Sequence, residues 1–243
     1  MLLVPLPECD PPGFLAWEEA LLDAVDAGAE DLLWFWESPV PFVVVGYGQS
    51  RARETNLAAC EGAGIPVLRR SSGGGTVLQG PGCLSYGLAL RIEPGGPLDS
   101  ITGANRAILS RATRALQPLL GHPVSVDGHT DLTLLDSDGR RRKFSGNAQR
   151  RKRHALLFHG TILLSLDLGR MSEFLRPPSW EPEYRTGRNH AEFLVNTRLS
   201  PDTIQKAFSA EWSLRGLLTD LPIQAHRQHL ESRYGRPDWH ARR

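Results

Sequence analysis

Nine residues, Arg69-Arg70-Ser71-Ser72-Gly73-Gly74-Gly75-Thr76-Val77, constrain this chain more than any other stretch. Two guanidinium groups stand directly before a serine pair and three consecutive glycines, and the preceding Gly64-Ile65-Pro66-Val67-Leu68 reads as a turn and a short buried strand. Three glycines in a row add no side-chain bulk and reach positive φ freely. Their N–H groups can converge on an anion while Arg69 or Arg70 forks onto a carboxylate or phosphate. A lone glycine triplet reads as a flexible surface turn; with the arginines attached, a phosphate or adenylate loop is the better reading.

The rest of the composition fits a soluble, intracellular protein. At 243 residues and 40% hydrophobic content the chain can bury a sizeable core. We expect a single catalytic domain over residues 1–243, with a core of about 14–200, a C-terminal helix at 201–219 and a peripheral tail after Ala225. Met1-Leu2-Leu3-Val4-Pro5 is too short and proline-rich for a signal peptide, and no apolar run is long enough to span a membrane. Three scattered cysteines, Cys9, Cys60 and Cys83, argue against a disulfide framework and for a reducing, cytoplasmic setting.

A net charge of +1 excludes a globally basic nucleic-acid binder but not a local patch, and one exists. Arg140, Arg141, Arg142, Lys143, Arg150, Arg151, Lys152 and Arg153 fall within fourteen residues that contain no acidic side chain. A solvated hairpin, a phosphate-steering surface and a dock for an acidic protein all fit. Only Phe144 is available for base stacking, so a protein or nucleotide partner ranks above nucleic acid. The chain has 28 Lys plus Arg, yet its lysines are only Lys143, Lys152 and Lys206. Lys143 is therefore a candidate for work that needs a compact ammonium, such as gripping a carboxylate and a phosphate together; a lysine of no special role in a basic turn is the alternative. The eight histidines lack the short spacings of a zinc site, so no protein-held metal is expected.

Hydrophobic periodicity predicts alternating elements. Phe14 to Ala27 reads as an amphipathic helix closed by Gly28; Leu32 to Glu37 and Phe42 to Gly46 read as strands. Thr55 to Ala63 reads as a short helix, followed by strands at 76–78 and 84–90. Ser100 to Leu120 is the clearest helix, with Ile101, Ala104, Ile108, Ala112, Leu116 and Leu119 at helical spacing. Asp136-Ser137-Asp138-Gly139 is a hairpin turn between strands at 132–135 and 142–149. Strands at 155–158 and 161–167 and a helix at 201–219 complete an α+β fold of mixed or antiparallel sheets flanked by helices. His190 sits in a polar loop that either folds over a pocket or only connects to Phe193.

An ordered set of segments resembles the lipoate–protein ligase A family, within the group that includes biotin ligases and octanoyltransferases. The set comprises Trp17-Glu18-Glu19-Ala20-Leu21-Leu22, Trp36, Val44-Val45-Gly46-Tyr47-Gly48-Gln49, the arginine–glycine loop, Asp131-Leu132, Lys143-Phe144-Ser145-Gly146-Asn147-Ala148-Gln149 and His159-Gly160-Thr161-Ile162-Leu163-Leu164. It spans roughly Leu15 to Asp167 and is specific where a single glycine loop is not.

The resemblance implies an enzyme that binds lipoate (or octanoate) and ATP with Mg²⁺, forms an acyl-adenylate, and passes the acyl group to a lysine of a lipoyl carrier domain. Such carriers are 2-oxoacid dehydrogenase E2 or glycine cleavage H protein. The family's active lysine falls on Lys143. Nucleotide contacts fall on Arg70, Ser72, Gly73, Gly74, Gly75, Thr76, Val77, Leu78 and Asp131. The acyl pocket falls on Trp36, Arg70, Gly75, Lys143, Gly146, Asn147, His159, Gly160 and Thr161. Trp36, Phe42, Val44, Val77 and Leu88 are expected to line an apolar tunnel for the acyl tail, or else to be core residues. Arg150, Arg151 and Arg153 are expected to steer an acidic carrier.

The chain departs from the family pattern at Gln79-Gly80, at Cys83 and at Gly128-His129-Thr130-Asp131. It also ends without the C-terminal accessory domain of many stand-alone ligases, which points to a short form and raises a separate accessory subunit. An ATP-independent octanoyl- or lipoyltransferase would need a thiolate, for which Cys83 is the one placed candidate. A non-catalytic lipoate or nucleotide binder is the reading from another class.

Overall fold

The computed structural model describes residues 1–242. Among them ten strands form two sheets: β1 (Leu2–Leu3), β2 (Leu32–Glu37), β3 (Phe42–Val45), β4 (Val67–Arg69), β5 (Val77–Gln79), β6 (Cys83–Arg91), β7 (Val124–Asp127), β8 (Asp131–Leu135), β9 (Arg141–Arg151) and β10 (Ala155–Leu163). The large sheet runs β1-β2-β6-β10-β9-β8-β7 and is antiparallel except at β1–β2. The small sheet runs β4-β3-β5, with β3 parallel to β4 and antiparallel to β5. The longer helices are α1 (Pro11–Asp26), α4 (Ile101–Leu120) and α7 (Pro201–Glu211). Shorter ones are α2 (Arg51–Glu54), α3 (Leu57–Gly62), α5 (Met171–Phe174), α6 (His190–Phe193), α8 (Ile223–His229) and α9 (Pro237–Ala241). The fold is thus α+β with mixed sheets, as the pattern predicted.

Alternation along the central strands explains the layers. Leu84, Tyr86, Leu88 and Leu90 of β6 and Leu33 of β2 pack with Ile108, Leu116 and Phe208 beneath α4 and α7. Leu32, Trp34 and Ala89 point the other way, onto Phe14, Leu21 and Leu22 of α1. Gly87 is required there: a Cβ on it would sit 2.2 Å from the buried Trp34 indole. The small sheet has its own core, in which Val43, Val45 and Cys60 meet Met171 and Phe174.

Helix ends follow local chemistry. The Asp10 carboxylate accepts from Gly13 N–H at 2.8 Å ahead of Pro11-Pro12, so α1 begins three residues before the expected Phe14. Ser100 caps α4 and Gly121 closes it at φ 63°; Ile101 is 60% exposed and lies off the apolar face.

Four expectations are corrected. The helix expected at 55–63 is α3, which starts only at Leu57 because Thr55 is extended and bridges Leu175 while Asn56 caps it; the short α2 before it was not expected. Residues 155–163 are one continuous strand through His159-Gly160, and the chain leaves the sheet at Leu164, where Leu164 and Ser165 N–H both donate to Gly82 O. The helix at 201–219 stops at Glu211; Ser213 takes φ 49°, and the chain then runs beside β1 through Leu3 N–H to Gly216 O and Leu218 N–H to Leu3 O.

The fourth correction concerns the end of the chain, which is not peripheral. Tyr234, Trp239 and His240 are buried, since they cover the outer side of the arginine loop. Trp239 Nε1–H donates to Arg69 O at 3.0 Å, and Arg69 N–H donates to His240 Nδ1 at 3.0 Å. No helix among the described residues is long and apolar enough to cross a membrane.

Candidate functional site

A cleft of about 290 Å³ opens between the small sheet, the β8–β9–β10 hairpins and the segment 176–194. Of the residues singled out from sequence, it brings together Arg70, Gly74, Gly75, Thr76, Val77, Leu78, Asp131, Lys143, Gly146, Asn147, His159, Gly160 and Thr161. Ser72, which is buried, and Gly73, which is exposed, do not line it. Phe14, Leu15, Val44, Val77 and Leu163 supply an apolar part of the wall.

The glycine loop is held from both sides. The Arg69 guanidinium is fully buried and donates to the carbonyls of Gly46, Tyr47 and Gln49 at 2.8–3.0 Å and to that of Arg242. Arg70 Nη2 donates to Gly73 O at 2.6 Å and Gly75 O at 2.8 Å, and its Nε donates to Ser72 Oγ at 3.0 Å. Both arginines therefore bind backbone and loop atoms, where the sequence led us to expect anion forks; Arg69 does not reach the cleft wall. Burial lowers the Arg70 guanidinium to about 10, opposed by Glu18, so it stays charged at neutral pH. Gly46 must be glycine, since a Cβ there would lie 2.1 Å from Gly74 O.

Opposite the loop, Lys143 Nζ lies 2.8 Å from Asp131 Oδ1. The β8–β9 register slips by one residue at Phe144, pairing Leu132 with Ser145 but Thr133 with Lys143. Phe144 enters the core and Lys143 faces Asp131 across Gly146. A Cβ on Gly146 would come 2.6 Å from Lys143 Nζ, so its bareness makes room for the ammonium. Asn147 is a strut: Tyr86 O–H donates to its Oδ1 at 2.6 Å and its Nδ2 donates to Thr130 O at 2.7 Å. Gly160 leaves that amide space, for a Cβ there would fall 1.8 Å from Asn147 Oδ1.

The third side is the segment 176–194, which settles His190 on the cleft wall. Tyr184 O–H donates to Asp131 Oδ2 at 2.8 Å; burial and that carboxylate push the phenol well above its ordinary value, so it remains a donor. Burial, then the Arg185 and Lys143 cations, push His190 down to about 4. Trp180 is 65% exposed and stacks on His129 with centroids 5.6 Å apart.

Several residues expected at the site land elsewhere. Trp36 stacks behind Phe14 at 4.1 Å, while Phe42 and Leu88 are core residues; none of the three lines the cleft. Arg150 Nε pairs with the buried Glu19 at 3.1 Å and its Nη1 donates to Ser71 O, and Arg151 Nη2 donates to Leu98 O and Asp99 O. These two cations are internal fasteners because α1 and the chain preceding α4 pass beneath them; only Arg153 of the trio is exposed. Cys83 is buried, outside the cleft, and pushed up to about 12 by burial. Sequence reasoning missed Glu18 and Tyr184 as site residues. Glu18 had a readable signal: it occupies the middle of the stripe Phe14, Leu15, Glu18, Leu21, Leu22, Val25 on the buried face of α1.

The family model described as the lipoyl protein ligase A/B catalytic domain matches residues 10–196. The chain belongs to this family. A Schizosaccharomyces pombe protein named "Putative lipoate-protein ligase A" is 33% identical over 139 residues, 57% of this chain and 35% of its own length, so the chain spans about a third of that relative. Among solved structures, lipoate-protein ligase A bound with ATP superposes with a TM-score of 0.84 at 22% identity over 99% of this chain and 98% of the other. The bipartite lipoate protein ligase of Thermoplasma acidophilum, solved in a study that includes its E2 lipoyl domain, gives 0.83 at 22% over 100% and 96%. At these identities the two structures establish the lipoyl protein ligase fold.

Proposed function

We propose that this member of the lipoyl protein ligase family activates lipoate, or octanoate, with ATP and transfers the acyl group to a lysine of a lipoyl carrier domain. The observation that carries the reading is one cleft with three parts: the glycine loop at Gly74-Gly75, the Lys143 ammonium beside Asp131, and an apolar wall at Phe14, Val44 and Val77. These parts suit a triphosphate, a carboxylate and an aliphatic tail. An acyl carboxylate oxygen attacks the α-phosphorus and pyrophosphate leaves. The carrier lysine's neutral amine then attacks the acyl carbonyl and AMP leaves. Lys143 stabilises the negative charge that gathers between carboxylate and α-phosphate. Asp131, itself held by Tyr184, keeps the ammonium of Lys143 in place. Mg²⁺ would arrive with ATP, coordinated mainly by phosphate oxygens, and would offset their charge.

A thioester-forming transferase is the weaker reading, because the buried, high-pKa Cys83 thiol lies outside the cleft. Carrier domains such as E2 and H protein, and a separate accessory subunit, belong to the same proposal. The deciding experiment is pyrophosphate release with ATP and lipoate or octanoate, run beside Lys143→Ala. Acid-dependent release that disappears in the variant supports the ligase. A protein that releases none alone or with a lipoyl carrier, yet exchanges acyl groups between carriers, overturns it.

A further inference from the structure

Three side chains from distant parts of the sequence make a continuous buried line to Arg70. Glu18 is on α1, Ser72 follows β4, and His159 is on β10. Both Glu18 oxygens lie 2.8 Å from His159 Nδ1, and His159 Nε2 lies 2.6 Å from Ser72 Oγ. Ser72 Oγ in turn accepts from Arg70 Nε at 3.0 Å. Glu18, Ser72, His159 and Arg70 are each no more than 9% exposed.

With a neutral imidazole, a single arrangement of hydrogens satisfies this line. A guanidinium can only donate, and an ionised carboxylate can only accept. Ser72 must therefore receive the Arg70 N–H and give its own hydrogen to His159 Nε2. That leaves the imidazole proton on Nδ1, directed at Glu18. Every hydrogen points the same way, from a cation at one end to an anion at the other. Low-dielectric surroundings strengthen such a chain and make each missing link costly.

The trio has the composition of a nucleophilic triad, but its placement argues otherwise. Ser72 is 1% exposed and does not line the cleft, whereas Arg70, whose Nη2 holds Gly73 and Gly75, does. We propose that Glu18 and His159 are positioning residues that act through Ser72 to fix Arg70, and with it the shape of the glycine loop. In its effect on catalysis this inference rests on the ligase reading; in its effect on the loop it does not.

Hydrogen exchange at residues 70–76 of the free protein, measured by mass spectrometry, tests the loop directly. Ser72→Ala and Glu18→Ala are expected to speed exchange there about tenfold or more. Glu18→Gln, whose amide oxygen still accepts from Nδ1–H, should recover most of the protection. The Ser72→Ala/Glu18→Ala double variant should be no worse than Ser72→Ala, because both act on one line. In pyrophosphate release, the same variants should raise the KM for ATP about tenfold while kcat falls less than about threefold.

Unchanged loop exchange in Ser72→Ala, or effects of the two single variants that multiply, would overturn the proposal. Labelling of Ser72 by a fluorophosphonate would replace it with a nucleophile. A wild-type protein that releases no pyrophosphate, but whose loop loosens in the variants, would sink the ligase reading and leave the positioning line standing.

Discussion

The two walls that face each other across the cleft are built in opposite ways. The glycine-loop wall is cross-braced by charge: Arg69 holds three carbonyls of the 46–49 turn, Arg70 holds two carbonyls of its own loop, and Trp239 and His240 fasten the outside. The 176–194 wall is held by scattered single bonds: Arg176 N–H donates to Glu54 O, Arg176 Nε to Thr55 O, and Ser179 N–H to Glu54 Oε2. Tyr184 meets Asp131, Arg188 Nη1 donates to Arg141 O, and Val195 N–H donates to Lys143 O, while Trp180 stays largely exposed on His129. A ligand that carries an anion needs one wall already shaped to receive it, since reorganising dipoles during binding weakens them. One wall is thus braced by buried guanidinium groups, and the other by scattered bonds around an exposed indole.

The sharpest way to break this comparison is Arg69→Ala. It removes a fully buried cation and strands the carbonyls of Gly46, Tyr47 and Gln49. Loss of about 3 kcal/mol or more is expected, read as a fall in Tm on the order of 10 °C together with loss of activity. A fall under about 2 °C would show that the braces are ornamental. Gly146→Ala should separate geometry from stability. Its Cβ would lie 2.6 Å from Lys143 Nζ, so the flexible ammonium must swing away. Pyrophosphate release should drop about 10- to 100-fold, with Tm within about 2 °C of wild type; intact activity would mean that Lys143 works from another position.

A third test sharpens the account of the outer fastening. Burial holds the His240 imidazole below the ordinary histidine value; the Tyr234 carbonyl opposes this, and the Arg51 and Arg69 cations add to it. The unfolded chain takes up the proton more readily, so the contribution of neutral His240 is complete above about pH 6.5 and is lost as pH falls from there through the lower folded value. Trp239 fluorescence followed through unfolding should report weaker fastening at pH 5 than at pH 7. His240→Gln, which can accept and donate at the same places, should flatten that difference, and an equal pH response in both proteins would refute the assignment. The smallest effect belongs to Tyr184→Phe on the 176–194 wall. It removes one hydrogen bond to Asp131 and should cost about threefold in kcat/KM with little change in Tm, near the net worth of one such bond. A hundredfold loss there would place Tyr184 among the groups that act on the substrate itself.

Much of this architecture was legible because local rules and tertiary packing agree. Alternation placed β2, β6 and the β8–β9 hairpin, and the scarcity of lysine marked Lys143. The arginine pair was found, but its partners were not. A guanidinium satisfies carbonyls as readily as phosphates, and nothing in Arg69-Arg70 says that the carbonyls of 46–49 fold back within reach. Arg150 and Arg151 misled for the same reason: a run of like charges looks solvated until Glu19 and the 98–99 carbonyls are brought beneath it. The end of the chain was misread because its sequence is rich in arginine and histidine. Its buried surface comes from only a few side chains, Tyr234, Trp239 and His240, whose partners lie far upstream.

That distance has a consequence for how the protein is made. Trp239 meets the Arg69 carbonyl across 170 residues of sequence. At about 5–20 residues per second of synthesis, the loop emerges from the ribosome roughly 10–30 s before the indole that fastens it. Throughout that interval the Arg69 carbonyl lacks its indole partner, although the 46–49 carbonyls that its guanidinium binds are already made. The outer fastening of the arginine loop is therefore added last, after residues 239–242 have been translated.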